Sequence, residues 1–215
     1  MVAYLGLILT IIIAFPLFRY GKFVHKHEYK FYIGALVFSL TLIALILADI
    51  TVQNLPGIYE IFYSGHISFA FFTLVMLGGV FKKKSKMSIY IIRIRREMAI
   101  LGFLTLLPHA FLRMSSALNG FNSTGLLAFL VIVPLVITSL PKVRRLMHPK
   151  TWKKVHYAAY FVYVMIYIHL VFDIFITSSS INITFKTSAA PYLVLFIIYL
   201  LFKGKRIILS LQKTT

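Results

Sequence analysis

The chain has 215 residues, of which 60% are hydrophobic and 13% charged, against roughly 25% charged residues in an ordinary soluble domain. A mean hydropathy of +0.89 excludes a soluble globular domain, a disordered chain and a nucleic-acid-binding domain, so the net charge of +18 is read as membrane topology and contact with anionic lipid. The absence of cysteine removes disulfides, thiolate catalysis, iron–sulfur clusters and zinc fingers together.

A membrane span needs about 20 mostly apolar residues. Seven stretches qualify in chain order, at roughly 2–18, 31–49, 64–81, 97–114, 124–140, 155–176 and 189–202. The expected fold class is therefore an all-α integral membrane protein, a bundle of about seven transmembrane helices. No long polar segment interrupts it, and there is no internal repeat. The first stretch has no basic start, and its basic cluster follows it, which reads as a retained helix rather than a cleaved signal.

The basic residues fix an orientation. Arg19, Lys22, Lys26 and Lys30 follow the first span. Lys82, Lys83, Lys84, Lys86, Arg93, Arg95 and Arg96 follow the third. Lys142, Arg144, Arg145, Lys150, Lys153 and Lys154 follow the fifth, and Lys203, Lys205, Arg206 and Lys213 follow the seventh. Of the 23 basic residues, only Arg113 and Lys186 fall on the other side. Cytoplasmic loops collect Lys and Arg, so the expectation is a multi-pass cell-membrane protein with its N-terminus outside and its C-terminus in the cytoplasm.

Ionisable groups at membrane depth are costly and point to function. They are His66 on span three, His109 and Arg113 on span four, and His156, His169 and Asp173 on span six. Asp49 and Glu97 lie at span ends and are read as interfacial. The seventh span has no Lys to anchor retinal, and the sequence has no GxGxxG or GxxxxGK[ST] motif for a nucleotide. Spans four and six both run outward from the cytoplasmic face. His109 lies 12 residues beyond Glu97 and His169 lies 14 beyond Val155. At 1.5 Å per residue, both sit ~18–21 Å from the inner edge. A b-type heme takes two imidazoles from separate helices of a bundle, and the neighbours Phe103, Phe111, Tyr163 and Phe172 suit a macrocycle. The competing reading is two histidines bonded to neighbouring helices or lining a proton path.

Of the motifs around these residues, the paired histidine spacing on span six is the specific one, and the others are weak alone. Span four reads Arg95-Arg96-Glu97, then Gly102, then His109, and span six reads Trp152-Lys153-Lys154-Val155-His156 with His169 thirteen residues on. In these features residues 31–202 resemble the ferric-reductase-like transmembrane domain family. They are most similar to its short branch, which contains the membrane heme subunit of the bacterial methionine-sulfoxide reductase system. The resemblance implies a six-helix heme-binding core at 31–202, an extra N-terminal helix and basic loop at 1–30, and a basic cytoplasmic tail at 203–215. It also implies His109, His169 and His156 as ligands of heme iron. The larger NADPH oxidases and ferric reductases have a second histidine on the equivalent of span four, where this sequence has Arg95 and Arg96.

Whether there is one heme b or two turns on His156. A separation of thirteen residues rises ~20 Å, which suits two stacked hemes, but it leaves the side chains ~140° apart on a straight helix. A partner for His156 would have to be His148, His25, His27 or an arginine from 93–96. Arg113 and Asp173 lie one turn outward of His109 and His169; they either pair with each other, or Arg113 holds a heme propionate or snorkels to the interface. His66 is a polar group beside the heme edge, an outer quinone or metal site, or an interfacial structural residue. His25, His27 and His148 read as solvated, Trp152 as an interfacial anchor, and Pro108 as a kink that aims His109.

Residues and resemblance together imply a b-type cytochrome. It would carry electrons across the membrane from a cytoplasmic flavoprotein or quinol to an extracytoplasmic reductase partner, flavoprotein or ferric iron. The alternative is a transporter or channel with a His/Arg/Asp substrate or proton site. A third reading is a cofactor-free assembly subunit.

Overall fold

The computed structural model describes residues 2–48, 56–81 and 85–212, so Asp49, Lys82, Lys83, Lys84 and Lys213 lie outside the described residues. The chain is mostly helical. Its elements are α1 (Val2–Lys26), α2 (Glu28–Leu47), α3 (Pro56–Tyr63), α4 (His66–Leu77), α5 (Lys86–Leu118), α6 (Ser123–Ile137), α7 (Pro141–Leu146), α8 (Pro149–His156) and α9 (Ala158–Val171). They are followed by β1 (Phe172–Ile176), β2 (Ile181–Phe185), a 3-10 turn at Thr187–Ala189 and α10 (Ala190–Leu211). Among the described residues three helical stretches are long and apolar enough to cross a membrane: Glu28–Leu47, Lys86–Leu118 and Pro149–Val171. A fourth is added if Ile8–Leu17 and Arg19–Lys26, which meet at a 71° bend, count as one span. Large apolar side chains face outward, among them Ile11, Phe15, Leu40, Ile92 and Leu201. That suits contact with lipid.

Helix α5 is the central post. It packs against α1, α2, α4 and α6, while α9 packs against α6 and α10. The expected span of 97–114 begins eleven residues earlier, at Lys86. Ser85 caps it, accepting from the Ser88 N–H at 3.2 Å. Ser88, Ile91, Ile94, Glu97 and Met98 then recur at helical spacing on one buried face. The basic residues around them turn outward and hide that periodicity in a sequence scan. Gly102 lets α4 approach α5 closely, since a Cβ there would lie 2.9 Å from Phe71.

Pro108 sits inside α5 and has no N–H to offer the carbonyl four residues back. That carbonyl, on Leu104, instead accepts a hydrogen bond from Ser39 Oγ of α2 at 2.9 Å. The bond broken by proline thereby becomes a tie between helices.

Four further expected boundaries shift. The expected third span at 64–81 is helical over His66–Leu77, and a separate short helix, Pro56–Tyr63, precedes it across Gly65, whose φ is +74°. The sixth ends at Val171 and continues as an antiparallel hairpin, an exception to the all-α expectation, with Phe172 opposite Phe185 and Ile176 opposite Ile181. Its strands are rich in aromatic and β-branched residues, and its turn is closed by Thr177, whose N–H and hydroxyl both pair with Ser180. The first helix kinks at Tyr20, whose φ/ψ is not helical, and the chain is helical again to Lys26, over the expected basic loop. The expected tail from Lys203 is helical to Leu211 and tied down, with Lys203 Nζ donating to the Tyr160 hydroxyl at 2.9 Å and Arg206 to the Gly79 carbonyl at 2.6 Å.

Candidate functional site: a paired histidine cavity

His109 of α5 and His169 of α9 meet, with ring centroids 6.0 Å apart and planes at 76°. Among the described residues this is the one histidine–histidine ring pair. Both line a cavity of about 420 Å³ whose walls include Phe69, Phe72, Phe129, Ile132 and Leu170. Each ring rests on a glycine. A Cβ at Gly65 would lie 3.2 Å from the His109 ring, and one at Gly125 would lie 2.8 Å from His169. At Gly125 the chain gives up a side chain to make room for an imidazole, and at Gly65 the positive φ itself calls for glycine beside the ring.

The His109 tautomer is set by its surroundings. Nδ1 donates to the Tyr63 carbonyl at 2.6 Å, which leaves Nε2 with a lone pair. Nδ1 of His169 is buried without a hydrogen-bond partner. Two imidazoles sharing one metal at about 2 Å per bond, with roughly 1 Å from nitrogen to ring centre, require centroids about 6 Å apart. The observed separation matches, and most of the cavity wall is apolar, as suits a flat organic cofactor.

The mouth is polar. Asp173, on β1 beyond the last helical residue, pairs with Lys186 at 2.8 Å and accepts from Asn122 Nδ2 at 2.9 Å. Burial pushes the Asp173 carboxyl up, but the bonds from Lys186 and Asn122 outweigh it and hold the group below its ordinary value. Asn122 takes the left-handed conformation, with φ of 52°, and also accepts the Ile174 N–H at 2.8 Å. It pins the hairpin over the start of α6. Arg113 lies over the Tyr63 ring, 4.0 Å from its centroid. Arg113 and Asp173 therefore have separate partners and do not form the pair weighed from sequence.

The remaining candidates lie elsewhere. His66 is buried and faces Tyr192, whose hydroxyl is 3.5 Å from Nδ1, and it does not line the cavity. The Ser139 hydroxyl donates to the Leu135 carbonyl, so it accepts from His156 Nε2 at 3.2 Å. That bond occupies one His156 nitrogen, and the Trp152 ring, 3.9 Å away by centroid, packs on the imidazole. Trp152 is itself fixed by a bond to the Thr138 carbonyl and by Arg144 over its ring. His148 caps α8 and His27 packs on Phe23. His25 bonds Glu97 at 2.7 Å.

Glu97, expected at the interface, is 0% exposed. His25, Glu28 and Glu97 bring three metal-competent atoms within 4.8 Å of one another. Arg96 bonds both carboxylates and already supplies positive charge there. Gly65, Gly125, Asn122 and the Tyr63 carbonyl also belong to the site and carry no signal in the sequence. Their roles depend on what faces them across the fold, and no local pattern marks them.

No family model matches the chain, and no solved structure matches it. It is 28% identical over 202 residues to an uncharacterized protein of Treponema pallidum (strain Nichols), covering 86% of this chain. The chain spans 56% of that relative's length.

Proposed function

We propose that the chain is a membrane b-type cytochrome of the ferric-reductase-like kind, which carries electrons through the bilayer to an extracytoplasmic acceptor. The observation that carries this reading is the His109–His169 pair, with matched spacing, glycine-backed rings and an apolar cavity. A heme b held there would supply a one-electron iron couple. The protein's own part is to present His109 Nε2 through the Tyr63 bond, to hold His169 from the end of α9, and to exclude water with the surrounding aromatic residues. The donor in this reading is a cytoplasmic flavoprotein or quinol at the basic face, and the acceptor is a reductase partner, flavoprotein or ferric iron. The deciding experiment is the reduced-minus-oxidised spectrum of the purified protein. A b-type α-band is expected, and a colourless protein after expression with ample heme would sink the reading in favour of a transporter.

We read one heme. His156 has one nitrogen engaged with Ser139, and among the described residues no second histidine ring packs on it. The heme-to-protein ratio should be near one and unaltered in His156→Ala. A ratio near two that falls in the variant would restore an inner heme.

Gly125→Ala separates packing from propensity. Gly125 is the third residue of α6, and alanine is a better helix former than glycine, so a passive glycine would tolerate the change. Here the new methyl meets the His169 ring. Heme retention should fall while helical content by circular dichroism stays level. Full retention would remove Gly125 from the site.

The seven-span bundle with an external N-terminus is part of the same reading. Activity-reporter fusions at the C-terminus should read cytoplasmic and those after Met1 external. A cytoplasmic N-terminus with every span retained would place the histidine pair in the inner leaflet.

A further inference from the structure

Two basic residues break the one-sided charge distribution, Arg113 and Lys186, and both line the histidine cavity. They come from distant elements, Arg113 from α5 and Lys186 from the residue after β2. Each is tied to the histidine assembly. Arg113 lies over Tyr63, whose carbonyl holds His109. Lys186 Nζ donates to the His169 carbonyl at 3.4 Å and to Asp173 at 2.8 Å, and its N–H donates to the Val171 carbonyl at 2.9 Å. Among the described residues no carboxylate pairs with Arg113. Two cations against one Asp173 leave the mouth with one uncompensated positive charge.

A cation on the outer side works against the topological bias, and a partly buried one loses hydration. Both costs are offset by an anionic ligand. We propose that Arg113 and Lys186 form a two-cation clamp for the carboxylate edge of the cofactor, with the β1–β2 hairpin as the strap that carries Lys186 into place. This rests on the heme reading. It adds the direction in which the cofactor sits, carboxylates toward the outer mouth, and it gives the hairpin a purpose. Lys186 can bridge Asp173 and an incoming carboxylate, since an ammonium has three donors.

The test is a titration of detergent-solubilised, heme-free protein with hemin and with hemin dimethyl ester, in wild type, Lys186→Gln and Arg113→Gln. The ester keeps the ring and iron and lacks the anionic carboxylates. Each variant should bind hemin about tenfold more weakly, the scale of one charge-assisted hydrogen bond, with ester affinity unchanged. Hemin affinity equal to wild type would overturn the clamp. A parallel loss of hemin and ester would also overturn it, because the variants would then have damaged the pocket and not the charge pairing. Wild type that takes up neither compound would sink the heme reading and the clamp with it, so the two failures are distinguishable.

Discussion

His109→Ala should leave the purified protein without a six-coordinate b-type spectrum, and His169→Ala should do the same. The two rings meet edge-on with centroids 6.0 Å apart, so in the proposed reading each would supply one ligand to the iron and neither has a substitute within reach. The other five histidines have partners of their own: His25 with Glu97, His27 with Phe23, His66 with Tyr192, His148 with a backbone N–H and His156 with Ser139. Loss of a residue that merely orients a metal ligand costs roughly 10–100-fold in affinity, and loss of the ligand itself should cost more. The fold should survive, because both histidines border a cavity and lie outside the three clusters of buried apolar side chains. His66→Ala is the control and should keep the wild-type spectrum. A low-spin six-coordinate spectrum in either His109→Ala or His169→Ala would remove that residue from the iron.

The level of the two histidines was legible in the sequence because depth along a helix is arithmetic. Counting residues from the basic border put His109 and His169 at one height, and the structure brings their rings together. What counting along separate helices cannot supply is azimuth. Whether His156 or His66 turns toward the same axis depends on how each helix is rotated by its neighbours. Hence His156 faces Ser139 and Trp152, and His66 faces Tyr192. Boundaries were lost for a related reason. In 86–96 a hydropathy scan averages the buried Ile91 and Ile94 with exposed arginines and reads a loop, although the spacing is helical. Past Val171 the apolar run continues, so Phe172 to Ile176 read as span, but their β-branched and aromatic side chains pair with a second strand instead. Lys186 was visible only as an exception to a charge rule. Its role needed the hairpin, which is a long-range pairing.

A second large effect is expected far from the histidine pair. Glu97 is fully buried in α5, and its Oε1 accepts from His25 Nδ1 at 2.7 Å and from Arg96 at 2.8 Å, while Arg96 also pairs with Glu28. Two of the chain's five acidic residues are thus spent joining the end of α1 and the start of α2 to the central post. Removing one partner from a buried ionic network leaves the others uncompensated, at a cost of about 3–5 kcal/mol. The lower end applies to Glu97→Ala, because the Arg96 side chain is 30% exposed and keeps both Glu28 and water. A loss of about 3 kcal/mol corresponds to a drop of roughly 10 °C in the unfolding midpoint for a chain of this size. Glu97→Gln keeps the shape and one acceptor and should lose less. The paired change Arg96→Met with Glu97→Leu should lose less than the sum of its parts, since a packed apolar pair carries no orphaned charge. None of these variants should alter the heme spectrum, because Glu97 and His109 are twelve residues apart along α5, a rise of about 18 Å. Thermal unfolding followed by Trp152 fluorescence, beside the absorption spectrum, separates the two effects. A midpoint for Glu97→Ala within a degree or two of wild type would mean that the buried carboxylate contributes nothing to holding the first two helices, and a heme spectrum lost with it would mean that the Glu97 network and the histidine pair form one cooperative unit.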